Sequence, residues 1–436
     1  MKFIGLLNDI IWGLPLILLL MFTHIYFTLK TGIIQHSLSK GIKISFRGNA
    51  FATLSTTLAA TLGTGNIIGM STAIFMGGPG AVLWCWLTGV LGMATCYCEC
   101  YIGMKYKDTK NNKGGPMYAL KYGLGMRKMA IAFAIFTMLS SYGVGCTTQA
   151  NALSSSLNRQ FHIATPTSGL ICAILTGMVI IGGIKSISKF CTYLVPFMSL
   201  IFFAGCVFIL IKCNNYIFPA IKLIIFDAFS FRNIALGTSS GIMGMFVSAR
   251  YGIARGLFTN EAGLGSTAIA AGSSQLKSCH EQGLVSMSSV FWDTVVMCSI
   301  TGVVIVSAML KSPLDFANGD CDSLMNISFS LLGSKGDFLL SLCIVMFAFA
   351  TLCGWFFFGE SAAYYLINQL LHKKTHKEFA MKCYKISYII MIFFGAVMNL
   401  ELVWEMCDLF NALMVCPNLV CLFLLREEVK NNVLNS

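Results

Sequence analysis

An all-α integral membrane protein of about eleven spans, built as one additional N-terminal helix and two five-helix halves of opposite orientation, is predicted by three observations. The 436-residue chain is 56% hydrophobic and only 11% charged, with a mean hydropathy of +0.75, whereas soluble domains carry about 25% charged residues. Its apolar residues gather into stretches of the roughly 20 residues that a spanning helix needs. One of those stretches is interrupted near its middle by Thr61-Leu62-Gly63-Thr64-Gly65-Asn66-Ile67-Ile68-Gly69, a composition that a helix core seldom has.

The apolar segments fall at 8–28, 50–76, 80–104, 129–153, 167–184, 190–211, 235–249, 284–310, 337–366, 384–400 and 402–425. The first follows Met1-Lys2, but its apolar run continues past Leu20 to Phe27 with no small-residue cleavage site, so it reads as a retained helix and not a signal peptide. Gly77-Gly78-Pro79-Gly80 is a turn by composition, and the basic stretch from Lys105 to Lys113, followed by Gly114-Gly115-Pro116, is a cytoplasmic loop. Segment 252–282 is polar enough to lie along the inner face as a re-entrant or interfacial element. Setting the first helix aside leaves two sets of five, and an odd number of spans per half inverts the second against the first. The chain then divides into an N-terminal helix and loop at 1–47, a first repeat at 48–212, an extracellular connector at 213–234, a second repeat at 235–425 and a cytoplasmic tail at 426–436.

The formal charge of +12 is a matter of orientation. With the N-terminus outside, Lys2, Arg159, Lys212, Lys222, Arg232, Lys311 and Lys335 fall outside, and every other Lys and Arg falls inside. The positive-inside rule therefore predicts a multi-pass protein with an outer N-terminus and a cytoplasmic C-terminus. No part of the charge pattern points to nucleic acid. The chain is expected to act as a monomer in the lipid bilayer.

Glycine costs roughly 1 kcal/mol against alanine inside a helix, and broken backbone at membrane depth persists only where protein buries it or a cavity borders it. In transporters such breaks hold substrate and ion. The competing reading is a close helix crossing, because Gly65 and Gly69 form GxxxG. The inverted repeat predicts a matching interruption in the first helix of the second half, and Gly237-Thr238-Ser239-Ser240-Gly241-Ile242-Met243-Gly244 has the composition for it. A zwitterionic amino acid suits such a pair of breaks. Amides at Gly65 and Asn66 would meet its carboxylate, and carbonyls at Ser239, Ser240 and Gly241 its ammonium.

No enzyme signature stands: HExxH and the GxxxxGK phosphate loop are missing. The GxSxG string at Gly237 to Gly241 lacks the strand and helix that a nucleophile elbow requires. His372 and His376 sit among lysines with no third ligand. Most cysteines, including Cys96, Cys98 and Cys100, lie in apolar helices and read as reduced packing residues, and three thiols at that spacing diverge on a helix. No cofactor is predicted.

In order along the chain, GTGNIIG from Gly63, GGPGA from Gly77, GGPMY from Gly114, QANAL from Gln149, ARYGIARGLFTNEAGLGS from Ala249, GWFFFGESAAYYL from Gly354 and LFNALMVCPNL from Leu409 resemble the alanine or glycine:cation symporter family. NEAGLGS, Asn260 to Ser266, is the most specific block. The resemblance implies a leucine-transporter-type fold with an added N-terminal helix, in a cell inner membrane. It also implies sodium-coupled import of a small neutral amino acid, alanine or glycine, L or D, by alternating access. Carried over, the substrate pocket falls on Thr64, Gly65, Asn66, Gln149 and Trp355, with Trp355 as a lid beside Gly354. The sodium site falls on carbonyls of Ala59, Leu62 and Ala348 and the hydroxyl of Thr351.

Intramembrane acids are functional candidates by default. Glu401 and Glu405 belong at an interface, whereas Glu99 and Asp293 suit an ion pair or a proton route; Glu360 and Asp408 are further members of the set. Arg250, Arg255 and Glu261 are assigned to an inner gate. Ile68 and Cys146 depart from the family pattern next to the expected pocket, which leaves the choice among small amino acids open. Two alternatives stand beside the symporter: a proton-coupled carrier using Asp293 or Glu99, and a non-transporting receptor or channel.

Overall fold

The computed structural model describes residues 11, 14–230, 243–317, 319–320 and 323–433, and these form helices joined by short turns. The helices are α1 (Leu14–Lys30), α2 (Leu38–Ser45), α3 (Asn49–Thr61), α4 (Ile68–Gly77), α5 (Ala81–Lys105), α6 (Arg127–Tyr142), α7 (Thr148–Phe161), α8 (Thr165–Ile181), α9 (Gly183–Lys212), α10 (Asn214–Ala228), α11 (Met243–Asn260), α12 (Thr267–Gly272), α13 (Cys279–Val290), α14 (Ser299–Lys311), α15 (Ser334–Leu370), α16 (Lys374–Val397), α17 (Leu400–Leu424) and α18 (Arg426–Val433). Wide turns of π geometry at Gly143–Thr147 and Phe291–Cys298 join α6 to α7 and α13 to α14.

Seven helices among the described residues are long and apolar enough to cross a membrane, or up to nine if each of two bent pairs counts as one span. The bent pairs are Pro15–Lys30 with Ile34–Ser45, at 68°, and Asn49–Thr61 with Thr64–Gly77, at 62°. Thr165–Ile181 is a shorter apolar helix. This is a multi-pass membrane protein. The predicted interruption at Gly237 to Gly244 falls mainly outside the described residues, and Ser239, Ser240 and Gly241 lie wholly outside them. The side chain of Glu401 does too.

At the centre, α5 packs against α11, α12 and α13, while α15 packs against α3, α6, α7 and α9. The run from α11 to α12 follows α5 from one end to the other. Gly252 lies against Ala81 and Trp84, Gly256 against Cys85 and Thr88, and Ala268 against Gly103. Of the segment 252–282, expected to be re-entrant or interfacial, most of 252–272 is buried inside the bundle, and Gln275 and Lys277 are exposed. One expectation is corrected by this path. Arg250 and Arg255 stand toward the Pro79 end of α5, the end opposite Lys105, so they belong to no gate on the basic side.

Alongside these helices, α10 seals the Pro79 end. Asp227 accepts the Gly80 N–H at 2.8 Å, and Trp84 Nε1 donates to the Ala228 carbonyl at 3.2 Å. Asp227→Ala leaves the Gly80 amide without that partner, an expected loss of about 1–3 kcal/mol, read as a lowered unfolding temperature in detergent. At the basic end, α18 is tied down by Lys30 to Glu427 at 2.7 Å and Lys105 to Glu428 at 2.9 Å.

Candidate functional site

The first interruption begins where α3 stops at Thr61. Gly63 is extended, and Thr64–Asn66 form one 3-10 turn before α4 starts at Ile68. The backbone groups freed by this break need partners, because the bilayer offers none. Asn66 supplies one: its Oδ1 accepts the Gly63 N–H at 3.0 Å, while its own backbone amide donates to the Gly63 carbonyl at 3.2 Å. The Asn66 Nδ2 reaches across to Asp293, donating to its carboxylate at 2.7 Å and its carbonyl at 3.2 Å. Thr294 Oγ1 donates to the second Asp293 oxygen at 2.7 Å. Asn66 is thus a latch between the break and the wide turn Phe291–Cys298, which is a kind of helix defect frequent at functional sites.

Gln149 closes the other side. Its Oε1 accepts from the Thr64 amide at 3.2 Å and the Thr64 hydroxyl at 3.0 Å, and its Nε2 donates to the Val144 carbonyl at 3.1 Å. Thr351 Oγ1 donates to the Leu62 carbonyl at 3.3 Å. Gly354, one turn further along α15, lies on the backbone of Ala59 and Ala60. Ala348, one turn earlier, is buried. Three helices therefore bring Thr64, Gln149, Leu62 and Thr351 together around Gly63. Trp355 is fully buried and stacks over Gly145; its Nε1 has no hydrogen-bond partner among the described residues and faces Glu261.

A second interruption lies at 261–266, between α11 and α12. Glu261, Gly263 and Gly265 have φ of 56°, 97° and 80°, the left-handed region that ends a helix. Its freed groups are also taken up by side chains. Asn260 Oδ1 accepts the Ala262 amide at 3.0 Å, Glu99 accepts the Gly263 amide at 2.9 Å, and Asn418 Nδ2 donates both to the Gly263 carbonyl at 2.9 Å and to Glu99. Ser266 Oγ donates to the Glu261 carboxylate. The first break meets the last turn of α11, which leads into the second, where Gly65 faces Phe258 and Thr259: a Cβ on Gly65 would stand 2.9 Å from each. Glu261, expected at an inner gate, is buried within this second break. Neither Glu99 nor Asp293 forms a salt bridge among the described residues, so the ion pair expected of them is not made; Glu360, by contrast, pairs with Lys385 at 3.0 Å and Asp408 with Arg255 at 3.5 Å.

Thr64 and Asn66 are 0% exposed, so the first break is sealed. A cleft of about 270 Å3 has Ile68, next to the break, and Thr148 in its wall and reaches Arg159 and Asp337. Another, of about 380 Å3, opens beside α3 and is lined by Thr53, Thr56, Lys189 and Gln275. A helix broken at membrane depth, with its freed groups taken up by buried side chains, is the arrangement that membrane transporters use to hold substrate and ion.

Residues 1–435 match the sodium:alanine symporter family, and the chain belongs to that family. The sodium/alanine symporter AgcS of Methanococcus maripaludis is 37% identical over 98% of this chain and 96% of its own length. The probable sodium/glutamine symporter GlnT of Bacillus subtilis is 32% identical over 98% of this chain and 88% of its own. Among solved structures, that of MhsT in complex with L-phenylalanine superimposes with a TM-score of 0.61 at 14% identity, covering 86% of this chain and 88% of the other. The all-helical leucine-transporter-type fold is therefore shared.

Proposed function

We propose that this protein is a sodium-coupled symporter that imports a small neutral amino acid, alanine or glycine, by alternating access. The observation that carries the reading is the buried constellation at the first break, where the Thr64 amide and hydroxyl converge on Gln149 with no charged group in the cluster and Thr351 meets the Leu62 carbonyl. Thr64, Gly65, Asn66 and Gln149 bind the substrate, under Trp355. Oxygens of Ala59, Leu62, Ala348 and Thr351 hold sodium, an oxygen-only set free of carboxylates that suits a hard monovalent cation. Inward movement of one net charge gains about 2.3 kcal/mol per 100 mV. The halves 48–212 and 235–425 rock against each other, in a monomer set in the inner membrane with an outer N-terminus and a cytoplasmic C-terminus. The names of AgcS and GlnT support sodium as the ion, and differ on the amino acid.

Proteoliposomes with labelled alanine or glycine test this. Uptake is expected with an inward sodium gradient and is lost when potassium replaces sodium. Gln149→Ala orphans the Thr64 amide and hydroxyl and is expected to raise the apparent KM for alanine about tenfold or more, since a lost buried hydrogen bond costs about 1–3 kcal/mol. An unchanged KM in folded protein would move the pocket elsewhere. The second reading, proton coupling, is favoured by the buried carboxyls of Glu99, Glu261 and Asp293. Uptake that is indifferent to sodium and collapses with the pH gradient would establish it instead.

A further inference from the structure

Arg159, near the end of α7, and Asp337, in the first turn of α15, line the same cleft of about 270 Å3. Opposite charges that share a cleft ordinarily pair, yet neither residue forms a salt bridge among the described residues. Both border the cleft without an ion pair between them. Ser155, Ser156 and Gln160 add polar groups to the wall, and the cleft extends to Ile68 and Thr148, the neighbours of the first break and of Gln149. An exposed cation and a half-buried anion that border one cleft beside the first break without pairing are complementary to a ligand that carries both charges.

We propose that this cleft is a second, outer binding site for the zwitterionic backbone of the amino acid, with Arg159 receiving the carboxylate and Asp337 the ammonium before the molecule passes Ile68 into the break. The site selects for the two charged groups that every α-amino acid shares and leaves side-chain choice to the sealed pocket. It also excludes amines and carboxylic acids that carry only one of the charges. This inference rests on the transport reading above but is separable from it.

The test is uptake of labelled L-alanine by proteoliposomes holding the wild-type chain, R159Q, D337N or the charge exchange R159D/D337R, each checked for folding by its unfolding temperature in detergent. Each single variant is expected to raise the apparent KM about tenfold. The exchange keeps both charges in the cleft and is expected to recover to within about threefold of wild type. That recovery is informative because Asp337 also sits where an acid favours a helix N-terminus, and the exchange places an arginine there; a merely structural role would make the double variant worse. Single variants with wild-type KM, or an exchange no better than the weaker single variant, would overturn the outer site. Absence of uptake for every amino acid in the wild-type chain would instead overturn the transport reading.

Discussion

Asn66→Ala is expected to reduce uptake by roughly 30-fold or more in folded protein. The side chain serves two buried groups at once, the Gly63 N–H at 3.0 Å and the Asp293 carboxylate at 2.7 Å. Leaving a buried polar group unsatisfied costs about 1–3 kcal/mol, and each 1.36 kcal/mol is about tenfold in a rate. The more specific result comes from exchange. Asn66→Asp keeps an acceptor for Gly63 but sets a second carboxylate against Asp293, an arrangement that resists ionisation of both. Asp293→Asn alone still offers an acceptor to Asn66 but loses the charge that strengthens the contact. The pair Asn66→Asp with Asp293→Asn restores donor opposite acceptor and is expected to exceed the Asn66→Asp single variant in uptake per folded molecule. A double variant no better than that single one would show that the latch is not what Asn66 contributes.

Thr351→Val tests the ion site with little change of shape. It removes the Oγ1 that lies 3.3 Å from the Leu62 carbonyl and substitutes a methyl group in a fully packed setting. If that hydroxyl is one of the sodium ligands, the sodium concentration for half-maximal uptake is expected to rise about tenfold, the worth of one hydrogen-bond-strength interaction at about 1.4 kcal/mol. Maximal uptake at saturating sodium should stay within a few-fold of wild type. Equal loss at all sodium concentrations would place Thr351 in the packing of α15 on α3 and not at the ion.

The apolar segments were legible because length and hydropathy are local properties: 80–104 is realised as Ala81–Lys105, and 190–211 lies within Gly183–Lys212. The first break was legible for the same reason, since Gly63, Gly65 and Asn66 stand out against their apolar flanks. The interruption at 261–266 was not. Its glycines sit within the polar stretch 252–282, whose composition reads as a re-entrant or interfacial element without marking where the helix stops, and the left-handed backbone at Glu261 leaves no compositional mark. NEAGLGS stands out only through resemblance, and Glu261 within it is buried in the second break, not at a gate. The partners that hold both breaks, Asp293, Glu99 and Asn418, come from distant helices. Periodicity could flag Glu99 and Asp293 as costly, but not what they touch, and Asn418 carried no signal beyond its place in the LFNALMVCPNL block. The place of Arg250 and Arg255 is not legible from span counting, because α11 continues past the apolar stretch to Asn260.

The bond between Asn418 and Glu99 joins residues 319 apart in the chain. At ~5–20 residues per second, the ribosome takes roughly a quarter of a minute to a minute to make that intervening stretch. Until α17 is made, neither Glu99 nor the Gly263 carbonyl can receive the Asn418 amide that joins them in the finished fold. A chain ending before Asn418 therefore lacks the group that ties α5 to the second break.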